Sequence, residues 1–300
     1  MMFKSKIAVL TGTLLLSGVA VSADLTTGLI AHYSFDDCTA NDNSGENKNG
    51  TISGNPTCTN GKIPDVIELT AFNFNGTTDY VEIPHPGYLA EGSVAGWVYY
   101  SSIPKPLPGS GLYWFGLTGQ GLGGGDGMQF GQFPWNGSSI GFGTYQLDGS
   151  GWNVADSGVT PTKGQWYHMV GTFGANGIKI YLNGKLKGEN ASTGGIPTYT
   201  HSAYLAIDAY KTFFNGSLDD VRIYNRALTS SEITELYNAG STVKGTITSL
   251  GSHIVTCENK TTGQVVTVAK TTATTYDCEA KGLKVNTGEG VSILIEGKAK

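Results

Sequence analysis

The stretch GSLDDVRIYNRAL, Gly216–Leu228, decides the predicted fold of this chain. Within it, Val221 and Ile223 alternate with charged and aromatic residues, which is the pattern of a strand with one buried face. Two adjacent acids, Asp219 and Asp220, stand in the first half of this strand. The stretch therefore predicts a two-faced β-strand with acidic side chains at a fixed place along it.

A short helix is predicted directly after this strand. Thr229 and Glu232 have the spacing of a capping box, in which each side chain satisfies a backbone N–H of the other residue. The apolar residues that follow recur on one helical face over residues 230–238. Gly240 is expected to end the helix. This is the one helix that the sequence predicts after the N-terminal segment.

The rest of the chain up to residue 240 is typical of an antiparallel β-sandwich. Glycine occurs 44 times and aromatic residues make up 10% of the chain, which suits short strands joined by tight turns. The pair Asn183-Gly184 between two strand-like runs predicts a β-hairpin. The fold class is therefore predicted as all-β, with two antiparallel sheets.

Six stretches, taken in order, resemble the laminin-G-like, concanavalin A-like jellyroll domains of exported bacterial proteins. They are LIAHYSFDD (29–37), FNFNGTTDYVEIP (72–84), SVAGWVYY (93–100), GQWYHMVGTF (164–173), IKIYLNGK (178–185) and FNGSLDDVRIYNRALTSSEITELYNAG (214–240). The resemblance covers most of residues 25–240, within a predicted domain of residues 24–240, and implies a jellyroll with a concave and a convex side. It does not extend to residues 241–300, which are predicted to form a separate small domain of five short strands.

The N-terminal segment, residues 1–23, is predicted to be a signal peptide. Lys4 and Lys6 precede an apolar run, and Val21-Ser22-Ala23 is a small-residue cleavage site. The alternative is a retained N-terminal anchor. We expect a mature chain that starts at Asp24 and is secreted, periplasmic or on the cell surface, with no membrane span after cleavage.

The four cysteines form two local pairs of similar spacing. In an exported protein the simplest interpretation is one disulfide per domain, Cys38–Cys58 and Cys257–Cys278, because only this connectivity keeps both loops short. A zinc site is disfavoured, since no CxxC occurs and no histidine lies beside any of the four cysteines.

The charge of the chain limits the classes of partner. The formal net charge is -5, and it becomes -7 when Lys4 and Lys6 are removed with the signal peptide. Charged residues are only 14% of the chain. A weakly charged, acidic protein is not expected to bind nucleic acid or an anionic membrane.

A structural calcium ion is expected from the family resemblance. In such domains the first and last strands lie close together, and a calcium ion is often held there. The resemblance implies that Asp36, Asp42, Asp219 and Asp220 supply carboxylate oxygens, the ligands that calcium prefers. The alternative is that these acids cap turns or pair with the nearby arginines, Arg222 and Arg226.

An enzymatic function is disfavoured. Some glycoside-cleaving enzymes of this fold carry two carboxylates in an ExDxxE pattern, which this sequence lacks. Asp219 and Asp220 are adjacent and are expected to point to opposite faces of their strand. No pattern of nucleophile and base stands out either.

Carbohydrate binding is the preferred hypothesis, because sugars stack on aromatic rings that have polar side chains beside them. Trp135 and Trp152 lie in loop-like surroundings and are the predicted platforms, with Tyr145, Asp126 and Asn153 as polar neighbours. The alternative is that these tryptophans close the ends of the sandwich. Two other tryptophans, at positions 97 and 166, belong to strand motifs and are predicted to lie in the core.

The sequence is therefore consistent with three functions. The first is a secreted, non-catalytic module that binds a glycan or polysaccharide. The second is a structural or adhesive cell-surface protein that engages a protein partner. The third, a divergent polysaccharide hydrolase or lyase, has the least support from the sequence.

Overall fold

Two large antiparallel sheets form most of the chain that the computed structural model describes. The described residues are 24–62, 70–103, 111–117, 127–133, 138–146, 151–196, 202–208, 211–239, 244–246, 250–259, 264–271, 275–277 and 291–299. The predicted signal peptide and Gly240 lie outside these ranges. In chain order the strands of the two sheets are β1 (Leu29–Tyr33), β2 (Thr51–Ser53), β3 (Thr57–Asn60), β4 (Thr70–Asn75), β5 (Tyr80–Ile83), β6 (Gly92–Tyr100), β7 (Leu112–Leu117), β8 (Met128–Gln132), β9 (Ile140–Gln146), β10 (Gly151–Asp156), β11 (Trp166–Phe173), β12 (Ile178–Leu182), β13 (Lys185–Asn190), β14 (Ala203–Leu205) and β15 (Asn215–Tyr224).

The order of the strands is that of a jellyroll, with neighbours distant in sequence. The first sheet runs β13-β12-β11-β6-β15-β4-β3, and β1 also pairs with β15. The second sheet runs β10-β9-β8-β7-β14-β5-β2. The last strand of the sandwich, β15, thus lies between β6 and both β4 and β1, which confirms that the ends of the domain meet.

The two sheets pack face to face over an aromatic core. Alternate residues of each strand point inward, so that Val98 of β6 and its cross-strand neighbour Leu218 of β15 are both fully buried. Trp114 and Phe142 face them from the second sheet. A Cβ atom added at Gly171 of β11 would overlap the Phe142 ring, so this position needs glycine for the sheets to approach.

The outer face of the first sheet is partly covered by the helix α1 (Ser230–Ala239). Ile233 and Leu236 are buried against Val170 and Tyr181 of the sheet. The helix predicted over residues 230–238 is therefore confirmed, with one more residue at its C-terminal end. Its apolar side packs on the sheet and leaves the far end of the outer face uncovered.

The predicted capping box is present at the start of α1. The Thr229 N–H donates to Glu232 Oε2 at 2.7 Å, and the Glu232 N–H donates to Thr229 Oγ1 at 3.3 Å. Arg226 adds an ion pair to the Glu232 carboxylate at 2.8 Å. These contacts confirm that Thr229 and Glu232 form the capping box that the sequence predicts.

Two further sequence predictions are confirmed in the sandwich. Cys38 and Cys58 form a disulfide, which ties the loop after β1 to β3. Asn183 and Gly184 join β12 to β13 with φ values of 52° and 74°, as a tight two-residue hairpin turn requires.

Among the described residues after α1 there are five strands, the number that the sequence predicts, although two of them, with 10 and 9 residues, are not short. They are β16 (Lys244–Thr246), β17 (Leu250–Asn259), β18 (Val265–Thr271), β19 (Thr275–Asp277) and β20 (Val291–Ala299). β16 pairs with β19, and β17 lies between β18 and β20. The boundary at residue 240 stays a prediction, and so does the Cys257–Cys278 bond, because Cys278 lies outside the described residues.

No helix in the described ranges has the length and hydropathy that a bilayer span requires.

Candidate functional site

An aromatic pair lies on the uncovered end of the first sheet's outer face. Trp166 of β11 is the direct cross-strand partner of Tyr99 of β6, and their ring centroids are 5.4 Å apart with 49° between the ring planes. Their neighbours Val98 and Tyr167 point into the core, so the pleat directs this pair outward. Both rings are half-buried, which leaves aromatic surface open to solvent.

A cavity of about 850 Å³ opens over this aromatic pair, and we call it the outer-face cavity. The aromatic pair is surrounded by amides, hydroxyls, two lysines and two glycines. The lining residues are Thr59, Asn60, Gly61, Lys62, Asn73, Tyr99, Thr162, Lys163, Gly164, Gln165, Trp166 and Ser217. They come from β3 and the residues that follow it, from β4, β6 and β15, and from β11 and the segment before it, so only the folded sheet brings them together.

The polar side of the cavity is held by hydrogen bonds between strands. Asn73 Nδ2 donates to Ser217 Oγ at 3.1 Å, which joins β4 to β15. The Gly164 N–H donates to the Tyr100 carbonyl at 2.8 Å and fixes the segment before Trp166 against β6. The cavity wall is thus built on paired strands, which limits its movement.

Lys62 lines the outer-face cavity and contacts a buried tryptophan of the first sheet. Its Nζ lies 4.1 Å from the ring centroid of Trp97, and its backbone N–H donates to Asp219 Oδ2 at 3.0 Å. Trp97 is 1% exposed and also contacts His168 and Tyr237. The prediction that Trp97 is buried is therefore confirmed, although it is buried on the outer face rather than between the sheets.

The two acids of β15, Asp219 and Asp220, lie in a cluster of charged side chains beside Lys62. Asp220 Oδ1 lies 2.6 Å from His32 Nε2 and 2.9 Å from Arg222 Nη2. Burial acts to raise the pKa of Asp220, but the Arg222 charge and the hydrogen bond with His32 outweigh it and hold this pKa well below its usual range. Burial, reinforced by the Asp220 charge, raises the pKa of Asp219 well above its ordinary value.

A β-bulge corrects one expectation about these acids. The register between β15 and β6 shifts between Asp219 and Arg222, and Asp220 has φ 51°. Because the bulge adds a residue, Asp220 joins Arg222 on the outer face instead of alternating with Asp219. The prediction that the two acids point to opposite faces is wrong.

Two of the four predicted calcium ligands, Asp42 and Asp220, make the contacts of the alternative, in which acids cap turns and pair with arginine. Asp42 accepts hydrogen bonds from the backbone N–H groups of His32, Ser44 and Lys48, and these lower its pKa against the effect of burial. Asp220 is paired with Arg222, and burial raises the pKa of Asp36.

Within the described ranges, no group of three or more His, Cys, Asp or Glu side chains is placed to hold a metal ion. Calcium stays a prediction from the resemblance, which a calcium titration of chelated protein, followed by its melting temperature, would test.

The predicted sugar platform is brought together in part. Trp152 of β10 opposes Tyr145 of β9 at the edge of the second sheet, with ring centroids 5.8 Å apart. Asn153 is the next residue on the strand, so the pleat directs it to the opposite face from Trp152. Trp135 and Asp126 lie outside the described residues. Ligand binding at this pair stays a prediction.

The sequence pattern does not predict that the Trp166 ring is partly exposed. It was predicted in the core, but its ring is half-buried and lines the outer-face cavity. A usable signal exists: Trp166 follows the exposed run Thr162–Gln165, at the very start of β11. The opposing Tyr99 could be found only once the register between β6 and β11 was known.

Comparison with known proteins supports this architecture. Residues 75–234, more than half of the chain, match the family model for the concanavalin A-like lectin/glucanases superfamily. The adhesion G-protein coupled receptor D1 of Bos taurus is 31% identical over 86 residues, which cover 28% of this chain and 10% of the receptor. This chain thus spans a small part of that relative's length.

Solved structures share the fold at low sequence identity. Domain 4 of AbnA, an extracellular arabinanase of Geobacillus stearothermophilus solved with arabinotriose, is 24% identical with a TM-score of 0.56, over 70% of this chain and 98% of that domain. The binding domain of botulinum neurotoxin DC, solved with SialylT, is 16% identical with a TM-score of 0.54, over 79% of this chain and 58% of the other. Together with the jellyroll order of the strands, the family match shows that the chain belongs to the concanavalin A-like lectin/glucanases superfamily.

Proposed function

We propose that this protein is a non-catalytic carbohydrate-binding module whose ligand occupies the outer-face cavity. The observation that carries the proposal is the half-buried pair of Tyr99 and Trp166, which offers ring faces at the bottom of an open cavity. The C–H face of a sugar packs on such rings, while its hydroxyls need polar partners at the edge.

The polar lining supports the same ligand class. Asn60, Asn73 and Gln165 supply amides, and Thr59 and Thr162 supply hydroxyls around the aromatic pair. Amides and hydroxyls both donate and accept hydrogen bonds, as a sugar hydroxyl requires. Two structural neighbours agree with this class: AbnA domain 4 was solved with arabinotriose, and the binding domain of botulinum neurotoxin DC was solved with SialylT.

A binding role rather than catalysis is supported by the chemistry of the cavity. Glycoside cleavage uses two carboxyl groups that flank the scissile bond. The described lining residues include no Asp, Glu or His. Asp219 of β15, which is not a lining residue, accepts a hydrogen bond from the Lys62 backbone N–H. We therefore expect purified protein to bind oligosaccharides without releasing reducing ends.

We also propose that the protein works in an oxidising compartment. The Cys38–Cys58 disulfide supports this, because such bonds persist mainly in secreted, periplasmic and cell-surface proteins. Labelling of free thiols in freshly isolated native protein tests it, with Cys38 and Cys58 expected to stay unlabelled.

Two tryptophan variants locate the ligand. Trp166→Ala removes one ring of the cavity and is expected to weaken glycan binding by about tenfold or more, as loss of a buried aromatic contact does. Trp152→Ala is the matched control, because it removes another partly exposed tryptophan on the opposite sheet. Binding is measured on a glycan array and then by calorimetry, with melting temperatures to confirm folding.

The other outcomes decide against the proposal. Loss of binding in Trp152→Ala alone would move the ligand to the sequence-predicted pair with Tyr145. Absence of any glycan binding by the wild-type protein, together with capture of a surface protein, would favour the adhesive function. Turnover of a polysaccharide would favour an enzyme.

A further inference from the structure

Two lysines and no acidic residue are among the described residues that line the outer-face cavity, although the chain as a whole is acidic. Lys62 and Lys163 line it, and none of its described lining residues is Asp or Glu. The full chain has a formal net charge of -5. Two positive charges at one aromatic cavity of such a protein are a local exception to its overall charge.

Lys163 brings its charge to the rim beside Trp166. It is exposed, and no ion pair of Lys163 is found among the described residues. Its position is set by the next residue, because the Gly164 N–H is bonded to the Tyr100 carbonyl and Gly164 adopts φ +81°. The ammonium group thus stands on a fixed segment of backbone, three residues before the aromatic ring.

Lys62 brings the second charge from the opposite wall. Its side chain is 6% exposed and lies over the Trp97 ring, a cation–π contact that holds the ammonium group in place. Its backbone is fixed to β15 through Asp219. A charge held in partly desolvated surroundings is screened less by salt than a fully exposed one.

We infer that the outer-face cavity binds a saccharide that carries a carboxylate or sulfate group, with its ring on Trp166 and its anionic group at Lys163. This inference rests on the proposed function and narrows it to one ligand class. Hydrogen bonds between an ammonium and an anionic oxygen are stronger than those between neutral groups, so the anionic group sets the orientation of the sugar.

Acidic probes and their neutral counterparts test the inference. Trigalacturonate and sialyllactose are each compared with their methyl esters, while a heparin-derived tetrasaccharide tests sulfate. Each is titrated by calorimetry at about 0.02 M and about 0.2 M salt. We expect at least one acidic probe to bind about tenfold or more tightly than its neutral counterpart, with the preference reduced at high salt.

Three lysine variants assign the effect to the cavity. Lys163→Gln is expected to remove the preference for the acidic probe, and Lys163→Arg is expected to keep it. Lys187→Gln is the matched control, because Lys187 is an exposed lysine on β13, at the far edge of the same sheet. It is expected to change nothing.

The outcomes separate this inference from the proposed function. Equal affinity for charged and neutral probes, or an equal loss in Lys187→Gln and Lys163→Gln, overturns the inference and leaves carbohydrate binding intact. An acidic preference that survives Lys163→Gln also overturns it. If no saccharide of either kind binds, the proposed function fails, and this inference fails with it.

Discussion

Asp219 and Asp220 are neighbours in the chain, yet their carboxyl groups carry opposite pKa shifts. Asp220 faces Arg222 and His32, whereas Asp219 is half-buried and lies next to the Asp220 charge. His168 lies close enough to Asp220 and Arg222 to feel their charges. It is 3% exposed, and burial lowers its pKa to about 3. Each shift follows from what the side chain faces rather than from its position in the sequence.

His168 predicts a pH dependence of stability. The pKa of His168 is about 3 in the folded protein and about 6.5 in the unfolded chain. Below about pH 6.5 the unfolded chain therefore binds the proton more readily than the folded protein does. Its contribution to stability is therefore complete above about pH 6.5 and is lost as the pH falls toward 3, by up to about 1.4 kcal/mol per pH unit. His168→Gln is expected to flatten this loss, as measured by urea unfolding from pH 7 to 4.

Asp219 needs a control in this experiment, since its raised pKa acts with the opposite sign. The folded protein keeps that proton to higher pH than the unfolded chain, so its contribution is present at low pH and is lost as the pH rises. The double variant with His168→Gln and Asp219→Asn is therefore compared with Asp219→Asn alone, because neither protein has the titration of Asp219. Parallel pH curves for the two proteins would contradict the prediction.

At the scale of elements, α1 shows how a short helix is held by its start and by its buried face. Ile233 and Leu236 pack on the outer face of the first sheet. Thr229 and Glu232 exchange hydrogen bonds at the first turn. A helix of 10 residues is marginal alone, so both the cap and the packing are needed.

Thr229→Ala is expected to destabilise the protein by about 1 kcal/mol, because it removes the N-cap acceptor for the Glu232 N–H. Thr234→Ala is the matched control: Thr234 is exposed in the same helix and only bonds back to the Ser230 carbonyl. This control is expected to change stability by less than about 0.5 kcal/mol. Chemical unfolding of both variants checks the difference, and equal losses would show that the cap has no special role.

At the scale of the whole molecule, the two ends of the sandwich are joined at the first sheet. β15 pairs with β1, and the Cys38–Cys58 bond ties the segment after β1 to β3. β3 continues into the segment that carries Lys62 and the wall of the outer-face cavity. The disulfide therefore supports both the closure of the sheet and one side of the candidate site.

Replacing both cysteines, Cys38→Ala with Cys58→Ala, is expected to lower the free energy of unfolding by about 3 kcal/mol, since the unfolded chain loses a closed loop. The cysteines are 20 residues apart. Urea unfolding of this variant is compared with that of oxidised wild type. A loss below about 1 kcal/mol would show that the loop is held by its other contacts, such as the hydrogen bonds of Asp42.

The elements that local patterns encode were predictable from the sequence. The alternation in β15, the capping box of α1, the Asn183-Gly184 hairpin and the Cys38–Cys58 bond all depend on residues close in the chain. The ordered motifs also identified the jellyroll, because each strand carries its own two-faced pattern.

The candidate site was decided only by the tertiary structure. Trp166 and Tyr99 meet because β11 pairs with β6 in one register, and a slip of β11 by one residue would turn the Trp166 ring to the core and separate it from Tyr99. Asp219 and Asp220 share a face because one bulge interrupts the ladder between β15 and β6. Register and bulges depend on contacts between residues far apart in the chain, and alternation along a single strand carries no record of them.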